Sequence, residues 1–188
     1  PTMVVTKLSS LEVVAGEQIT VTCSVENEMG ELFEEVITTF SVESSDSLVV
    51  DNDAGTIGTR VVGTHVVTCS AAEVPLAELS SATFTVVPGA AERITTLLEK
   101  DTVEVFETSA VSCVTRDALD NIIEAVDSVI EAPEEVLIAE GLASSDTVGT
   151  YDVTCRLAEV DTSVVVEGAK LTVTAGQPAT LELGVTPE

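Results

Sequence analysis

Tryptophan is absent from this 188-residue chain, tyrosine occurs once and phenylalanine four times. Its core must therefore be built from Val, Ile, Leu and Ala, and the β-branched residues among them suit the pleated face of a strand. Bases are scarce: seven Lys and Arg stand against 33 Asp and Glu, for a net charge of −26. Phosphate backbones and anionic lipid need clustered cations, so both are poor partners. The single histidine, His65, and the lack of any C-x-x-C weigh against a Cys/His metal site. No apolar run approaches the ~18 residues of a membrane span. Triad, metalloprotease and phosphate-loop motifs are missing, so an enzyme is not expected. Asn27, Asn52 and Asn121 lack the N-x-Ser/Thr context, so N-glycosylation is not implied. No signal peptide is visible and the chain begins at Pro1, which reads as a processed N-terminus or an excised piece.

What the chain does have is a repeat. Gly149-Thr150-Tyr151-Asp152-Val153-Thr154-Cys155 matches Gly63-Thr64-His65-Val66-Val67-Thr68-Cys69. From Val21 to Glu43 the second copy lies 90 positions on, pairing Cys23 with Cys113 and Phe40 with Ile130. Four residues then drop out across Ser44–Val50. From Asp51 to Val74 the offset reads as 86, which pairs Gly55 with Gly141 and Gly63 with Gly149. One residue is regained before Ala169–Val173, the partner of Ala82–Val86. A unit of this length is too long for a solenoid repeat and right for a small β-sandwich. The expected domains are 1–89 and 90–176. Residues 177–188, with Leu181, Leu183 and Val185 on one face, read as the first strand of a further repeat or as a linking strand. As a linking strand the tail would donate itself to a neighbouring copy's sheet edge.

Four cysteines in two equivalent pairs argue for disulfides in an oxidising compartment, with buried free thiols as the alternative. Of the three possible connectivities the repeat selects Cys23–Cys69 and Cys113–Cys155. Period-two alternation through Ile19, Val21, Cys23 and Val25 marks one half-buried strand. His65, Val67 and Cys69 share the inner parity of a second, as do Tyr151, Val153 and Cys155. The cysteines of each unit then face one another across a sandwich. Further strands are expected at Val36–Val42, Thr56–Val61, Ala82–Val87, Ala90–Leu97, Ala125–Glu131, Gly141–Thr147 and Ala169–Thr174. Ala71–Leu79 reads as a loop or strand end rather than a helix. The fold class is all-β: two tandem immunoglobulin-like sandwiches, each with one intersheet disulfide.

His65 and Tyr151 occupy one position in the two units. A catalytic His would not be replaced by Tyr, so both read as side chains at the core edge with the polar tip bonded to backbone. Asp51-Asn52-Asp53-Ala54-Gly55 is the best cation candidate, since Asp51 and Asp53 could supply oxygens to Ca²⁺; a plain turn is the alternative. The aligned Leu137–Gly141 lacks those oxygens. A second carboxylate cluster around Glu92 is conceivable. With three lysines present, a Lys–Asn cross-link is not expected.

At these residues the chain resembles the bacterial immunoglobulin-like repeats of surface proteins, the tandem domains of adhesins and invasin- and intimin-like stalks, with a filamin-like strand pattern. The carriers are Gly149–Cys155, the strand Ile19–Cys23, and the turn Glu26-Asn27-Glu28-Met29-Gly30-Glu31. Its second copy, Asp117-Ala118-Leu119-Asp120-Asn121, keeps the Asp and Asn of a D-x-x-G-N hairpin and loses the Gly. No Trp packs on the disulfide, and Tyr151 lies four residues before Cys155 rather than two, so antibody-type binding loops are not carried over. The resemblance implies an extracellular, cell-surface location and a structural role in a fibre, stalk or adhesin. Its partners would be further Ig-like domains of the same chain or of neighbouring copies. A self-assembling filament subunit joined by strand donation, and a module binding a glycan or host protein, are the alternatives. The short connection Pro88-Gly89 suits a semi-rigid rod.

Overall fold

The computed structural model describes residues 2–33, 36–43, 48–74, 77–159 and 163–176. The expected linking strand 177–188 lies outside them, as do Glu34 and Glu35. Two compact units are present: Pro1–Ala90 together with Asp117–Asn121, and Ala91–Arg116 together with Ile122–Glu188. The Asp117–Asn121 turn, which the repeat places in the second copy, groups with the first unit.

Unit 1 contains β1 (Thr2–Leu8), β2 (Glu12–Val14), β3 (Gln18–Asn27), β4 (Thr38–Glu43) and β5 (Leu48–Asp51), then β6 (Thr56–Thr59), β7 (Gly63–Ala71), β8 (Glu78–Leu79) and β9 (Ser81–Val87). One sheet runs β5-β6-β3-β1-β8 and the other β2-β9-β7-β4. Unit 2 contains β10 (Ala91–Leu98), β11 (Thr102–Glu104), β12 (Ser109–Asp117, its last residue grouped with unit 1), β13 (Ile122–Ile123) and β14 (Ser128–Glu131). It continues with β15 (Leu137–Ala139), β16 (Leu142–Ser144), β17 (Gly149–Leu157), β18 (Val165–Glu167) and β19 (Ala169–Thr174). Its sheets run β15-β16-β12-β10-β18 and β11-β19-β17-β14, with β13 paired to β12. Strand for strand the two orders are the same. The isolated bridge Glu26–Leu32 stands in unit 1 where β13 stands in unit 2.

The inner faces follow the alternation read from sequence. Ile19, Val21 and Val25 on β3, and His65, Val67 and Cys69 on β7, are buried. So are Val153 and Cys155 on β17. Aliphatic residues dominate both cores, with Val4, Ile57, Val67 and Val86 packed beside Phe40 and Phe84 in unit 1 and with Val103, Val153, Leu171 and Val173 in unit 2. Burying one such side chain contributes about 1.5–3 kcal/mol.

Several strand limits differ from expectation, each for a local reason. Gly141–Thr147 shrinks to β16, because Gly141 turns at φ 77° and the Ser145 hydroxyl takes the Thr147 amide. Thr56–Val61 ends at Thr59, whose hydroxyl takes the Val61 amide in the same way. Ala125–Glu131 begins only at Ser128, since Ala125 sits at φ 55°, outside the extended region. Val36–Val42 becomes Thr38–Glu43, and β10 starts one residue late. The short strands β2, β8, β11 and β18 join sheet edges as parallel partners. They are too short to show a period.

The repeat alignment also needs a correction. Asp51 pairs with Thr56 across β5 and β6, whereas Ala139 pairs with Leu142 across β15 and β16. Asp51 therefore corresponds to Ala139, two positions away from the Leu137 assigned by an offset of 86. Two of the four lost residues come out of this turn. Unit 2 closes it with Glu140 and Gly141 alone, at φ 52° and 77°. Two consecutive positive φ values are what a two-residue hairpin matched to strand twist requires.

Candidate functional site

The most developed feature of each unit is a brace between its sheets. Cys23 on β3 and Cys69 on β7 are bonded, with Cα atoms 5.7 Å apart. Cys113 on β12 and Cys155 on β17 repeat this, also at 5.7 Å. In each case the two strands belong to opposite sheets. Both pairings and their intersheet placement agree with the sequence reading. The loops closed span 46 and 42 residues, which on the chain-entropy account stabilises each unit by about 4 kcal/mol.

A second link, not foreseen from the sequence, lies beside each disulfide. The Cys69 amide donates to the Thr6 hydroxyl oxygen at 3.0 Å, and the Cys155 amide to that of Thr96 at 2.8 Å. Thr6 and Thr96 are buried, and each sits on the sheet opposite its cysteine. The Thr6 hydroxyl in turn donates a hydrogen bond to the Ser80 carbonyl. The signal was available. The offset of 90 extends back from Val21 to pair Val4 with Ile94 and Thr6 with Thr96, and both threonines have the inward parity. A hydroxyl on an apolar face has to find a partner, and here it takes an amide of the facing sheet.

His65 and Tyr151 hold equivalent places. The Tyr151 hydroxyl donates to the Thr147 carbonyl at 2.9 Å, and His65 Nε2 lies 3.4 Å from the Val61 carbonyl. Both bonds run four residues back along the chain. The His65 ring packs on Phe84 with centroids 5.3 Å apart, and its Nδ1 is buried without a hydrogen-bond partner among the described residues. The glycine two residues before each ring is required for a different reason in the two units. Gly63 adopts φ 146°, and a Cβ on Gly149 would stand 2.8 Å from the Tyr151 oxygen.

Asp51 and Asp53 sit in the turn between β5 and β6. Asp51 Oδ1 accepts from the amides of Asp53 and Ala54, and Asn52 Oδ1 from that of Phe40. Among the described residues no group of three His, Cys, Asp or Glu is placed to hold a metal ion. Glu92 is an exposed residue of β10.

The two copies of the D-x-x-G-N-like turn share one geometry. Asn27 Oδ1 accepts from the amides of Met29 and Glu31, and Asp117 Oδ1 from those of Leu119 and Asn121. The polarity of the cross-turn pair is reversed: Asn27 Nδ2 donates to Glu31, while Asn121 Nδ2 donates to Asp117. Asp120 at φ 69° replaces Gly30 at φ 77°, a conformation that Asp tolerates better than most residues. Asp117 Oδ2 also accepts from the Gly89 amide at 2.9 Å, both groups lying in unit 1. Burial opposes ionisation of this carboxyl, but the Asn121 side chain and the amides of Gly89, Asn121 and Leu119 outweigh it. Together they hold the pKa below its ordinary value.

No protein-family model matches the chain, and no curated protein matches it in sequence. Solved structures do match. InvD of Yersinia pseudotuberculosis is similar at a TM-score of 0.60 and 14% identity, over 98% of this chain and 61% of that one. Invasin, a bacterial integrin-binding protein, is similar at 0.55 and 13%, over 93% of this chain and 40% of that one. FdeC, an Escherichia coli adhesin, matches at 0.49 and 18%, over 92% of this chain and 64% of that one. The chain thus spans less than two thirds of each of these structures. At such identities InvD and invasin speak to architecture alone. The chain is a tandem pair of disulfide-braced immunoglobulin-like sandwiches, with the fold of invasin-type domains.

Proposed function

We propose that this chain is a structural segment of an extracellular bacterial surface protein, a fibre, stalk or adhesin assembled from tandem Ig-like domains. The observation that carries the reading is the repeated brace. Each unit ties its two sheets together by a disulfide and a buried hydroxyl–amide bond at the same place. Such bridges belong to oxidising compartments, and they protect strands that would otherwise separate under load. Only three residues, Pro88–Ala90, connect β9 to β10. The surplus of acids, spread over both units, keeps such an array solvated and self-repelling. Further Ig-like domains of the same chain are the partners this role implies, and the role is not enzymatic. InvD and invasin support it through their shared fold.

Location is the first test. Antibody raised against the two units should label intact source cells, and protease applied to those cells should remove the signal. Labelling that requires permeabilised cells refutes the proposal.

A further inference from the structure

The two units carry clefts at equivalent positions, and the clefts differ in chemistry. In unit 1 a cavity of about 200 Å³ is lined by Gly16, Val49, Gly58, Thr59 and Arg60, among others. In unit 2 a cavity of about 410 Å³ is lined by Phe106, Leu137, Ser144, Ser145 and Asp146, together with Glu134 and Glu135. The backbone frame is shared. The Gly16 amide donates to the Thr59 carbonyl, and the Phe106 amide to the Ser145 carbonyl. Exposed Val49 on β5 corresponds to exposed Leu137 on β15 through the hairpin registers. Against this common frame Gly16 has become Phe106 and Arg60 has become Asp146.

Phe106 is 77% exposed. It holds φ 68°, where its counterpart is a glycine at φ 92°. The turn beneath it is tied by the Phe106 amide and by the Glu107 amide on the Glu104 carbonyl. The Glu107 carboxylate adds bonds to the Glu104 amide and to Lys100. An aromatic face thus stands at the mouth of a cleft that carries three carboxylates and no basic lining residue.

We propose that this cleft of unit 2 binds a cationic side chain, arginine foremost, presented by a basic peptide segment. Charge complementarity selects a cation. The three carboxylates do not form a metal-holding group, whereas a guanidinium on an apolar stem can lie on the Phe106 face and reach the acids around it. The strongly acidic chain would steer such a segment toward the cleft.

NMR titration of the full chain with acetyl-Gly-Arg-Gly-Arg-Gly-amide tests this, with the citrulline analogue as an uncharged control. The Phe106 ring protons and the amides of 137 and 144–146 should shift saturably with the arginine peptide and not with citrulline. Phe106→Gly should weaken binding by about 2- to 5-fold, the worth of an exposed cation–π contact. Asp146→Arg should weaken it by about tenfold, since a like charge then faces the ligand. Glu12→Arg makes the same charge change at a residue that does not line the cleft and separates a local effect from one of net charge; it should leave affinity within about twofold. Gly and Arg already occupy the equivalent positions in unit 1, and the wild-type titration decides the matter even if a variant fails to fold. Shifts scattered over the surface, equal weakening by Glu12→Arg and Asp146→Arg, or citrulline binding as well as arginine would each overturn the proposal.

Discussion

Pulling the chain from its two ends by force spectroscopy, with and without reductant, reads the braces directly. While the Cys23–Cys69 bridge is intact, the chain between these residues cannot extend. That segment contains β4, β5 and β6 and most of β7. Reduction frees a span of 46 residues, less the 5.7 Å already bridged. At 3.3–3.6 Å per residue the gain in contour length is about 145–160 Å. In unit 2 the freed span is 42 residues, for a gain of about 135–145 Å. Reductant should therefore lengthen both unfolding steps, by amounts that differ by about 14 Å, the length of four residues. It should also lower the unfolding force, because about 4 kcal/mol of loop-closure stabilisation per unit is lost. The alternative pairings bridge the two units and would hide far longer segments. Steps unchanged by reductant, or a single gain much longer than 160 Å, would refute the bracing argument and remove the main support for a load-bearing role.

Thr96→Val should destabilise unit 2 by about 1–3 kcal/mol in urea melts, because the buried Cys155 amide loses its acceptor; Thr96→Ser should restore most of the loss, and equal losses in the two variants would assign the effect to packing. Gly149→Ala should cost about 1–3 kcal/mol by overpacking against the Tyr151 ring, and a silent substitution would contradict the close approach that the structure shows. His65→Tyr should change stability by less than about 1 kcal/mol, within the range of a single modest hydrogen bond, because a tyrosine already fills the equivalent place in unit 2. The depressed pKa of Asp117 predicts stability that is fully present above the ordinary carboxylate range of about 4 and is lost as pH falls through the lower folded value. Asp117→Asn should remove that acid dependence and lower stability at pH 7; melts of the two proteins that fall in parallel below pH 4 would show that the carboxylate is not responsible.

Much of this architecture was legible because it is written locally or twice. Alternation of Ile19, Val21, Cys23 and Val25 is a property of one strand. Equivalent cysteines in two copies left one consistent pairing. What resisted was whatever depends on the far side of a sheet. Asp51 Oδ1 accepts from two amides of its own turn, and the sequence of that turn does not distinguish this use of a carboxylate from cation binding. Asp51 corresponds to Ala139 and not to Leu137, because composition alone does not reveal how many residues a hairpin needs to turn. The four residues of Asn52–Gly55 and the two of Glu140-Gly141 close the same strands.

The sequence by itself determined an all-β chain of two units, their covalent staples and the inward faces of the long strands. Covalent chemistry, period and repetition can each be read along a chain without knowing what lies across from it. Only the tertiary structure decided that Thr6 and Thr96 bond to the amides of Cys69 and Cys155 in the opposite sheet. It alone decided that β2 and β11 complete their sheets as parallel edges, and that Phe106, Glu135 and Asp146 meet around one cleft. Those outcomes join residues tens of positions apart, and their energies arise only once the two sheets have closed on each other.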